Sequence, residues 1–517
     1  MVIVSITPEI ALEKSVNYAG GLGVLEGDKF YAAGDMGLDY LVFSLFYRHG
    51  YVKIKVSREG EVELVPEDVS KSFYEDLTPD PELTVTLNNA TVYLIPWIYK
   101  YKSAKAVLFE AVCPEWARKL TDRLYLEDSE EEKFLKYALL AKATAAYLRE
   151  RVGIENITVI DLEESYTALV LYELRDLAKK MRIVIHTPGP WGHPVFPGRF
   201  LKREFNVDVA QHVNMTEEAL KFLDIAIVVS KKQKDILAKV FPGYANKLKP
   251  ITNGIYIERW LNPELYKAYS SGTIDKSTLL RVRREAKKEL LSLLRLYKPE
   301  ISVDDKPVVT WARRLTRYKR PYFIARFIEE NSDVDAMYVL SGKPHPRDPD
   351  GRKYLEVFKE LSLKFKNVVY IPDYSIDVAK ILVRASDIWL FTPFSGWEAC
   401  GTSYMKALIN GIPVVSSRDG GAIEIIRDGY NGWLFGDDLR DFINIYEDPR
   451  AALIDARDYE EFKFKLLQAI DIYINKKDEY WEAALNAHKT SLELVDIKGV
   501  LKRYYLEPEG SLDAKNH

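Results

Sequence analysis

Short apolar runs alternate with longer segments of helical hydrophobic spacing along the first half of the chain. The runs predict buried strands over residues 2–6, 41–46, 157–162, 181–187, 224–230 and 247–253. Such alternation is typical of βαβ units, in which helices connect parallel strands. We therefore expect a doubly wound, Rossmann-like α/β domain over residues 1–262.

Two segments of this half instead alternate apolar and polar residues with period two. They are residues 51–65, with a turn signal at Glu59-Gly60, and residues 83–99, with a turn signal at Asn88-Asn89. Alternation around a short polar turn predicts an antiparallel hairpin. We expect these hairpins to interrupt the doubly wound pattern and to cover a ligand cleft.

The second half opens with a helical segment and then returns to the alternation of strands and helices. Within residues 263–300 the apolar positions recur at spacings of three and four, which predicts a long amphipathic helix with one buried face: Leu279, Val282, Ala286, Leu290 and Leu293. Further strands are predicted over residues 307–314, 335–342, 367–373, 387–393, 412–417 and 431–436, with helices from about residue 458. We expect a second Rossmann-like domain over residues 263–517 that faces the first across a cleft, because open α/β sheets bind ligands where their strands end.

The composition fits a globular protein of 517 residues, with 47% apolar and 29% charged residues. The net charge of −4 offers no basic field for nucleic acid or anionic membranes, so an anionic ligand must be met by local groups. Cys113 and Cys400 are too few for a disulfide framework or a four-thiolate zinc site. We expect a cytoplasmic protein without a metal, and the scarcity of glutamine favours a thermophilic source.

A glycine-rich segment, residues 18–28 (YAGGLGVLEGD), follows the first predicted strand. We expect a helix to begin after it, near Lys29. Glycines let backbone N–H groups approach a phosphate closely, and a helix N-terminus adds favourable dipole charge. The segment is therefore a candidate phosphate loop, although a tight turn would use the same glycines.

Cations cluster at the end of a strand predicted in the second half. Residues 313–320 hold five cations in eight residues of a net acidic chain: Arg313, Arg314, Arg317, Lys319 and Arg320. Arginine forks and a lysine at a strand end suit a phosphate or diphosphate. The alternative is a solvated helix start, because runs of charge usually lie on the surface.

A third segment, residues 394–408 (FSGWEACGTSYMKAL), places Glu398 in a glycine-rich turn and Lys406 in the helix predicted to follow. We expect both on one cleft wall, where Glu398 would bind sugar hydroxyls. Lys406 is either a snorkelling surface lysine or an amine of depressed pKa suited to Schiff-base chemistry. The segment taken alone favours the surface lysine.

Three other strand ends carry polar residues. His186 could donate to a sugar hydroxyl, although a lone histidine is more often structural. Asn253-Gly254 could be a simple turn. Glu163 and Glu164 are either a carboxylate pair or solvated acids at a helix N-terminus.

Taken in order, these segments resemble the α-glucan phosphorylase family over most of the chain. The glycine-rich segment matches the GGLG-V-LAGD loop of that family, and residues 186–193 match its HTP-x-P-x-GH segment. The other matching patterns are NMT, TNG-x-x-x-RW, R-x-x-x-YKR, PDY, EA-x-GTS-x-MK and DG-A-x-x-E, at residues 214–216, 252–260, 314–320, 372–374, 398–406 and 419–424. The chain departs from the family where residues 163–166 (EESY) replace an NEGH run, and at Cys400 and Tyr404.

The resemblance implies a glycosyltransferase B-type fold and a short, minimal phosphorylase. Such an enzyme reversibly transfers a glucosyl unit, with retention, from the non-reducing end of an α-1,4-glucan or maltooligosaccharide to inorganic phosphate, giving glucose 1-phosphate. It carries pyridoxal 5′-phosphate on a lysine, and the 5′-phosphate of this cofactor assists proton transfer. Family analogy also implies a homo-oligomer.

The resemblance assigns roles to individual residues. Lys319 and Arg314 at the phosphates, His186 by the sugar and the backbone at Gly21 would form the catalytic group. The cofactor would be held by Lys406, Thr402, Ser403, Arg313 and Tyr374. The substrate would be bound by Glu398, Asn253, Gly401, Gly23 and Tyr318.

Two other functions compete with this interpretation. Residues 412–436 (IPVVSSRDGGAIEIIRDGYNGWLFG) look more like a nucleotide-sugar-dependent retaining glucosyltransferase of the glycogen synthase type. In such an enzyme Arg314 and Lys319 would bind the nucleotide diphosphate, and Lys406 would be an ordinary lysine. A non-catalytic glucan-binding protein is disfavoured, because it would have no use for a phosphate clamp.

Overall fold

The computed structural model describes residues 2–56, 61–303 and 306–507, and the chain divides into two compact units. The first unit comprises residues 1–51, 66–252 and 500–517, and the second comprises residues 52–65 and 253–499. The sequence suggested a single boundary between residues 262 and 263. The structure instead divides the chain between residues 252 and 253, and two segments belong to the unit from which they are distant in sequence. Residues 52–65 belong to the second unit because their apolar side chains, such as Ile54, lie in its core.

The strands of the described residues are short, and most are buried on both faces. They are β1 (Val2–Ile6), β2 (Tyr40–Leu45), β3 (Lys53–Val56), β4 (Val62–Val65), β5 (Thr78–Pro79), β6 (Leu83–Leu87), β7 (Ala90–Tyr101), β8 (Ala104–Cys113), β9 (Ile157–Glu163), β10 (Met181–Ile185), β11 (Val195–Pro197), β12 (His212–Asn214), β13 (Ala226–Val228), β14 (Leu248–Pro250), β15 (Val308–Ala312), β16 (Met337–Ser341), β17 (Val368–Ile371), β18 (Ile388–Phe391), β19 (Val414–Ser417) and β20 (Gly432–Phe435).

The helices that connect or flank these strands vary widely in length. They are α1 (Gly21–Asp35), α2 (Lys71–Glu75), α3 (Glu115–Leu120), α4 (Glu130–Tyr147), α5 (Gly198–Phe205), α6 (Met215–Phe222), α7 (Lys231–Val240), α8 (Ile257–Trp260), α9 (Pro263–Ser270), α10 (Lys276–Arg295), α11 (Pro321–Glu330), α12 (Pro349–Lys364), α13 (Ile376–Ala385), α14 (Ser403–Ile409), α15 (Ala422–Ile425), α16 (Arg450–Asn475), α17 (Lys477–Val495) and α18 (Ile497–Tyr505).

The first unit is built on a ten-stranded sheet with the order β14-β13-β10-β9-β1-β2-β8-β7-β5, in which β6 also pairs with β7. Neighbouring strands from β14 to β8 are parallel. The chain starts in the middle of this order and extends to both sides of β1. The order in which the strands are added therefore reverses between β1 and β9. In open α/β sheets such a reversal of strand order marks the ligand crevice.

The second unit contains a six-stranded parallel sheet with the order β17-β16-β15-β18-β19-β20. Apolar residues on one face of the sheet form a core with α11, α12 and α16. The order reverses between β15 and β18. The loops that follow these two strands are therefore the expected ligand-binding loops of this unit.

The predicted doubly wound α/β class is confirmed, and three local expectations are corrected. The helix expected near Lys29 begins at Gly21, so the glycine-rich segment forms the first turns of α1 rather than a loop. The long helix expected within residues 263–300 forms as α10, which holds all five predicted apolar positions, but it begins only at Lys276 and a separate helix, α9, precedes it. The hairpin of residues 83–99 extends the main sheet, because β7 pairs with β8, which continues in parallel with β2.

The hairpin predicted over residues 51–65 forms as the antiparallel pair β3 and β4. Its predicted turn at Glu59-Gly60 lies outside the described residues. The pair belongs to the second unit, where the Lys343 amine donates to the Val52 carbonyl at 3.0 Å.

Candidate active site

Glu398 lies at the centre of a buried charged cluster, in the loop that follows β18. Its Oε1 accepts hydrogen bonds from Arg313 Nη2 at 2.5 Å and from Lys319 Nζ at 3.3 Å. Both cations follow β15, so the reversal of strand order brings them beside Glu398. The sequence predicted these three residues as site residues, and the structure places them in direct contact.

The cluster has unused hydrogen-bonding capacity. Glu398 Oε2 and the Nε and Nη1 atoms of Arg313 are buried and make no hydrogen bond within the described part of the chain. The Arg313 guanidinium also lies 4.1 Å from the ring centroid of Phe391, within the range of a cation–π contact. Buried polar atoms without partners are costly, and a polar ligand would relieve that cost.

Burial and neighbouring charges shift the titration of this cluster. Burial lowers the pKa of Lys319 to about 7; Glu398 opposes this shift, whereas Arg313 and Arg314 add to it. Burial alone would raise the pKa of Glu398, but Arg313 and Lys319 hold it below its usual value. At neutral pH the cluster therefore carries an ionised carboxylate and a lysine that is easily deprotonated.

The loop that carries Glu398 is held by a carboxylate that the sequence did not single out. Asp419 accepts hydrogen bonds from the backbone N–H groups of Gly396, Glu398 and Gly420, at distances of 2.7 to 2.8 Å. A glycine is required at position 401, beside the Glu398 side chain, because a Cβ added there would lie 2.5 Å from Glu398 Oε1. The Asp-Gly pair after a predicted strand was the available sequence signal for Asp419.

Lys406 is buried in α14 and does not snorkel to the surface. Its side-chain amine lies 3.8 Å from the ring centroid of Trp260, which is itself buried at the end of α8. The backbone N–H of Lys406 donates to the carbonyl of Thr402, the residue that precedes the helix. The preference for a surface lysine, drawn from the segment alone, is therefore wrong, because the tertiary structure covers this helix face with Trp260.

The other predicted residues of this unit lie around the same loops. Asn253 donates through Nδ2 to the Cys400 carbonyl at 3.2 Å. Tyr318 stacks on Trp397 with a centroid distance of 5.6 Å, and burial raises the pKa of its hydroxyl to about 12. The Ser403 hydroxyl accepts from Trp389 Nε1 at 3.4 Å, so this predicted cofactor contact already has a partner within the protein.

A second group of polar residues surrounds the reversal point of the first unit. His186 follows β10, and its Nε2 lies 2.6 Å from Oε2 of Glu163, at the end of β9. The other oxygen of Glu163 is bound by the amine of Lys29 from α1. Burial opposes ionisation of Glu163, but Lys29 and His186 together lower its pKa to about 2. Glu163 is therefore a buried carboxylate that contacts Lys29 and His186 rather than Glu164.

Glu164 has a separate partner and an unusual backbone. It accepts a hydrogen bond from the Thr187 hydroxyl through Oε1, while its buried Oε2 has no hydrogen-bond partner in the described residues. Its φ of 67° lies in the left-handed region that non-glycine residues seldom adopt. Burial raises the pKa of its carboxyl group. Neither proposed arrangement, a mutual pair or two solvated acids, describes Glu163 and Glu164.

The glycine-rich N-terminus of α1 is partly occupied by a carboxylate of the chain. Glu9 Oε2 accepts from the backbone N–H groups of Ala19 at 2.5 Å and Gly20 at 3.2 Å. An added Cβ on Gly23 would lie 2.7 Å from the same oxygen, whereas one on Gly21 would meet no atom within 4 Å. The backbone at Gly21 is therefore open, and Gly23 is required for packing against Glu9.

Comparisons with known proteins agree with this architecture. Residues 296–445 match the family Glycosyl transferases group 1. The maltodextrin phosphorylase of Thermococcus litoralis is 26% identical over 84% of this chain and 62% of its own length. The glycogen phosphorylase of Aquifex aeolicus is 25% identical over 84% of this chain and 76% of its own length. The chain is a distant relative of the α-glucan phosphorylases.

A further relative has nearly the same length as this chain. An uncharacterised protein of Methanocaldococcus jannaschii is 27% identical over 94% of this chain and 95% of its own length. The chain spans less than two thirds of the Thermococcus enzyme, of which 62% is matched. The family match covers the segment with Arg313, Lys319, Glu398 and Lys406.

Metal-binding clusters and membrane-spanning helices are both absent from the described part of the chain. Within residues 2–56, 61–303 and 306–507, no group of three His, Cys, Asp or Glu side chains is placed to hold a metal ion. No helix of the described chain is both long enough and apolar enough to cross a membrane.

Proposed function

We propose that this protein is an α-1,4-glucan phosphorylase that uses pyridoxal phosphate. The observation that carries the proposal is the placement of Lys406, a buried lysine against the face of Trp260 in a chain similar to phosphorylases over most of its length. A buried amine on a rigid helix with an aromatic face beside it suits a planar aldehyde cofactor. The proposed substrates are an α-glucan and inorganic phosphate.

The side chains of the second unit fit such a cofactor and an anionic co-substrate. Lys406 would hold pyridoxal phosphate through its amine, and Thr402 precedes the helix that carries it. The unpaired guanidinium nitrogens of Arg313 supply donors for a phosphate. When bound, the cofactor would supply a phosphate group that assists proton transfer to and from the substrate phosphate.

The remaining steps fall to groups of this chain. The glucosyl C1–O4 bond breaks, a bond forms between C1 and a phosphate oxygen with retention, and the departing O4 takes the proton that the substrate phosphate gives up. Lys319 and Arg314 would bind the phosphate, and their positive charge would offset the negative charge that develops there. Glu398 would accept hydrogen bonds from glucosyl hydroxyls through its free Oε2. In the first unit, the resemblance assigns His186 to the sugar and the backbone at Gly21 to the phosphate.

The cofactor experiment is an absorbance spectrum of the purified protein above the aromatic band, followed by borohydride reduction and peptide mapping. We expect the reduced adduct on Lys406. Lys406→Met should lose both the chromophore and glucose 1-phosphate formation from maltoheptaose and phosphate. Lys298→Met is the matched control and should keep the chromophore, since among the described residues the Lys298 amine donates only to backbone carbonyls of the same unit.

A nucleotide-sugar-dependent retaining glucosyltransferase is the second candidate. The match of residues 296–445 to Glycosyl transferases group 1 favours it, because this family match spans the cations and Glu398. In that case the cations would hold a nucleotide diphosphate. A colourless protein that takes up no pyridoxal phosphate, and that transfers glucose from UDP-glucose or ADP-glucose to a glucan, would establish this function and overturn the phosphorylase proposal.

A further inference from the structure

Lys29 lies at the centre of a buried network within the first unit. It is 4% exposed, and its amine binds Oε1 of Glu163 and lies 3.1 Å from Oε2 of Glu26. The Tyr40 hydroxyl donates to the other oxygen of Glu26 at 2.7 Å. Glu163 is fully buried and contacts His186, so an unbroken path of polar contacts links α1 to the imidazole.

The charge of Lys29 determines the protonation state of the Glu163 carboxyl group. A buried carboxylate without a cation beside it would take up a proton. With Lys29 in contact, Glu163 remains ionised, and an ionised carboxylate accepts hydrogen bonds only. The 2.6 Å contact to His186 Nε2 therefore requires that Nε2 carry the hydrogen.

The other ring nitrogen of His186 is then the one available to a ligand. Within the described residues His186 Nδ1 makes no hydrogen bond, and 10% of the His186 side-chain surface is exposed. We propose that Lys29 is a positioning residue that, through Glu163, fixes His186 with Nε2 as donor and presents Nδ1 as the acceptor for a glucosyl hydroxyl. The ligand part of this inference rests on the proposed phosphorylase function.

The first test measures the ring nitrogens of His186 by 15N NMR and needs no substrate. The protein is labelled at its histidines, and the His186 signals are assigned by their loss in His186→Gln. We expect the wild type to show a protonated Nε2. Lys29→Met should make Glu163 take up a proton from solvent. The protonated carboxyl group would then donate a hydrogen bond to Nε2, and the ring hydrogen would move to Nδ1. Lys29→Arg should restore the wild-type signals.

A matched control separates positioning from stability. Lys136 is also a buried lysine of the first unit, paired with Glu127 at 2.5 Å, and its contacts do not include His186. Lys136→Met, like Lys29→Met, should lower the melting temperature, but it should leave the His186 signals unchanged. Unchanged His186 signals in a folded Lys29→Met protein would overturn the proposal.

Glu163→Gln decides the case if Lys29→Met does not fold. The amide has the shape of the carboxylate without its charge and can donate to Nε2, so we expect the same movement of the ring proton. Retention of the wild-type signals would overturn the proposal as well.

The second test measures phosphorolysis by the same variants. We expect kcat/KM to fall at least about tenfold in Lys29→Met and Glu163→Gln, with recovery in Lys29→Arg, as for other losses of a residue that orients a histidine. A folded Lys29→Met protein with wild-type kcat/KM would contradict the ligand role. A wild-type protein that forms no glucose 1-phosphate would overturn the proposed function, while the NMR signals would still decide the role of Lys29.

Discussion

At the scale of single residues, the molecule uses burial to adjust charged groups. Lys319, Glu398, Glu163 and Lys29 are all held away from water beside opposite charges. Buried ion pairs contribute little to net stability, because desolvation offsets their attraction. Their value here lies in fixing which groups are charged and which atoms remain available to a ligand.

Under the proposed phosphorylase function, the pH dependence of phosphate use should follow Lys319. Since burial lowers its pKa to about 7, the amine loses its charge as the pH rises through neutrality, and the KM for phosphate should rise. Glu398→Gln removes the carboxylate that opposes this shift, so the rise should begin at lower pH. Steady-state kinetics across this range measure both profiles, and coincident profiles would contradict the assignment.

His193 should make the protein less stable in mild acid. Burial lowers its pKa to about 4, against about 6.5 in an unfolded chain, so the unfolded state binds more protons between these values. The free energy of unfolding should therefore decrease as the pH falls from about 6.5 to 4, by up to about 3 kcal/mol. Urea unfolding of His193→Gln should lack this decrease, whereas a variant of the exposed His212 should keep it.

At the scale of elements, the start of α1 depends on one of its glycines. Gly23→Ala should displace Glu9 from the N–H groups of Ala19 and Gly20 and cost about 1 to 3 kcal/mol. Gly21→Ala meets no atom and improves helix propensity, so its stability should stay equal or rise by up to about 1 kcal/mol. Equal unfolding midpoints for the two variants would show that the contact with Glu9 carries no weight.

At the scale of the whole molecule, the last helix completes the first unit. The Tyr504 carbonyl accepts from Arg182 Nη1 at 2.8 Å, and the Tyr505 hydroxyl donates to Asp161 at 2.7 Å. Leu501 and Tyr504 of the same helix are buried. The last helix, which is distant in sequence, therefore contacts the ion pair between Asp161 of β9 and Arg182 of β10.

Removal of this helix should lower the stability of the first unit. A chain that ends at residue 499 loses buried apolar side chains and leaves Asp161 with one partner fewer, at a cost of at least about 3 kcal/mol. Hydrogen exchange should show faster exchange in β1 and β9 of that chain than in one that ends at residue 507. Equal protection in both chains would refute the coupling.

The strands were predictable because their signal is local. Five consecutive apolar or small residues at 2–6 and the similar runs of both halves can be buried only in a sheet covered on both faces. The beginning of α1 was not predictable, because glycines favour a loop when considered alone. Packing against Glu9 and the main sheet overrides that preference.

The sequence by itself determined the α/β class, the order of the strands along the chain and the segments that resemble phosphorylases. Only the tertiary structure decided that Lys406 lies against Trp260, that Arg313 and Lys319 share Glu398, and that Lys29 reaches Glu163. The hydrophobic pattern of a strand or helix is carried by residues close together in the sequence, so it can be recognised from the sequence alone. Burial, ion pairing and pKa shifts depend on residues far apart in the chain, which only folding brings into contact.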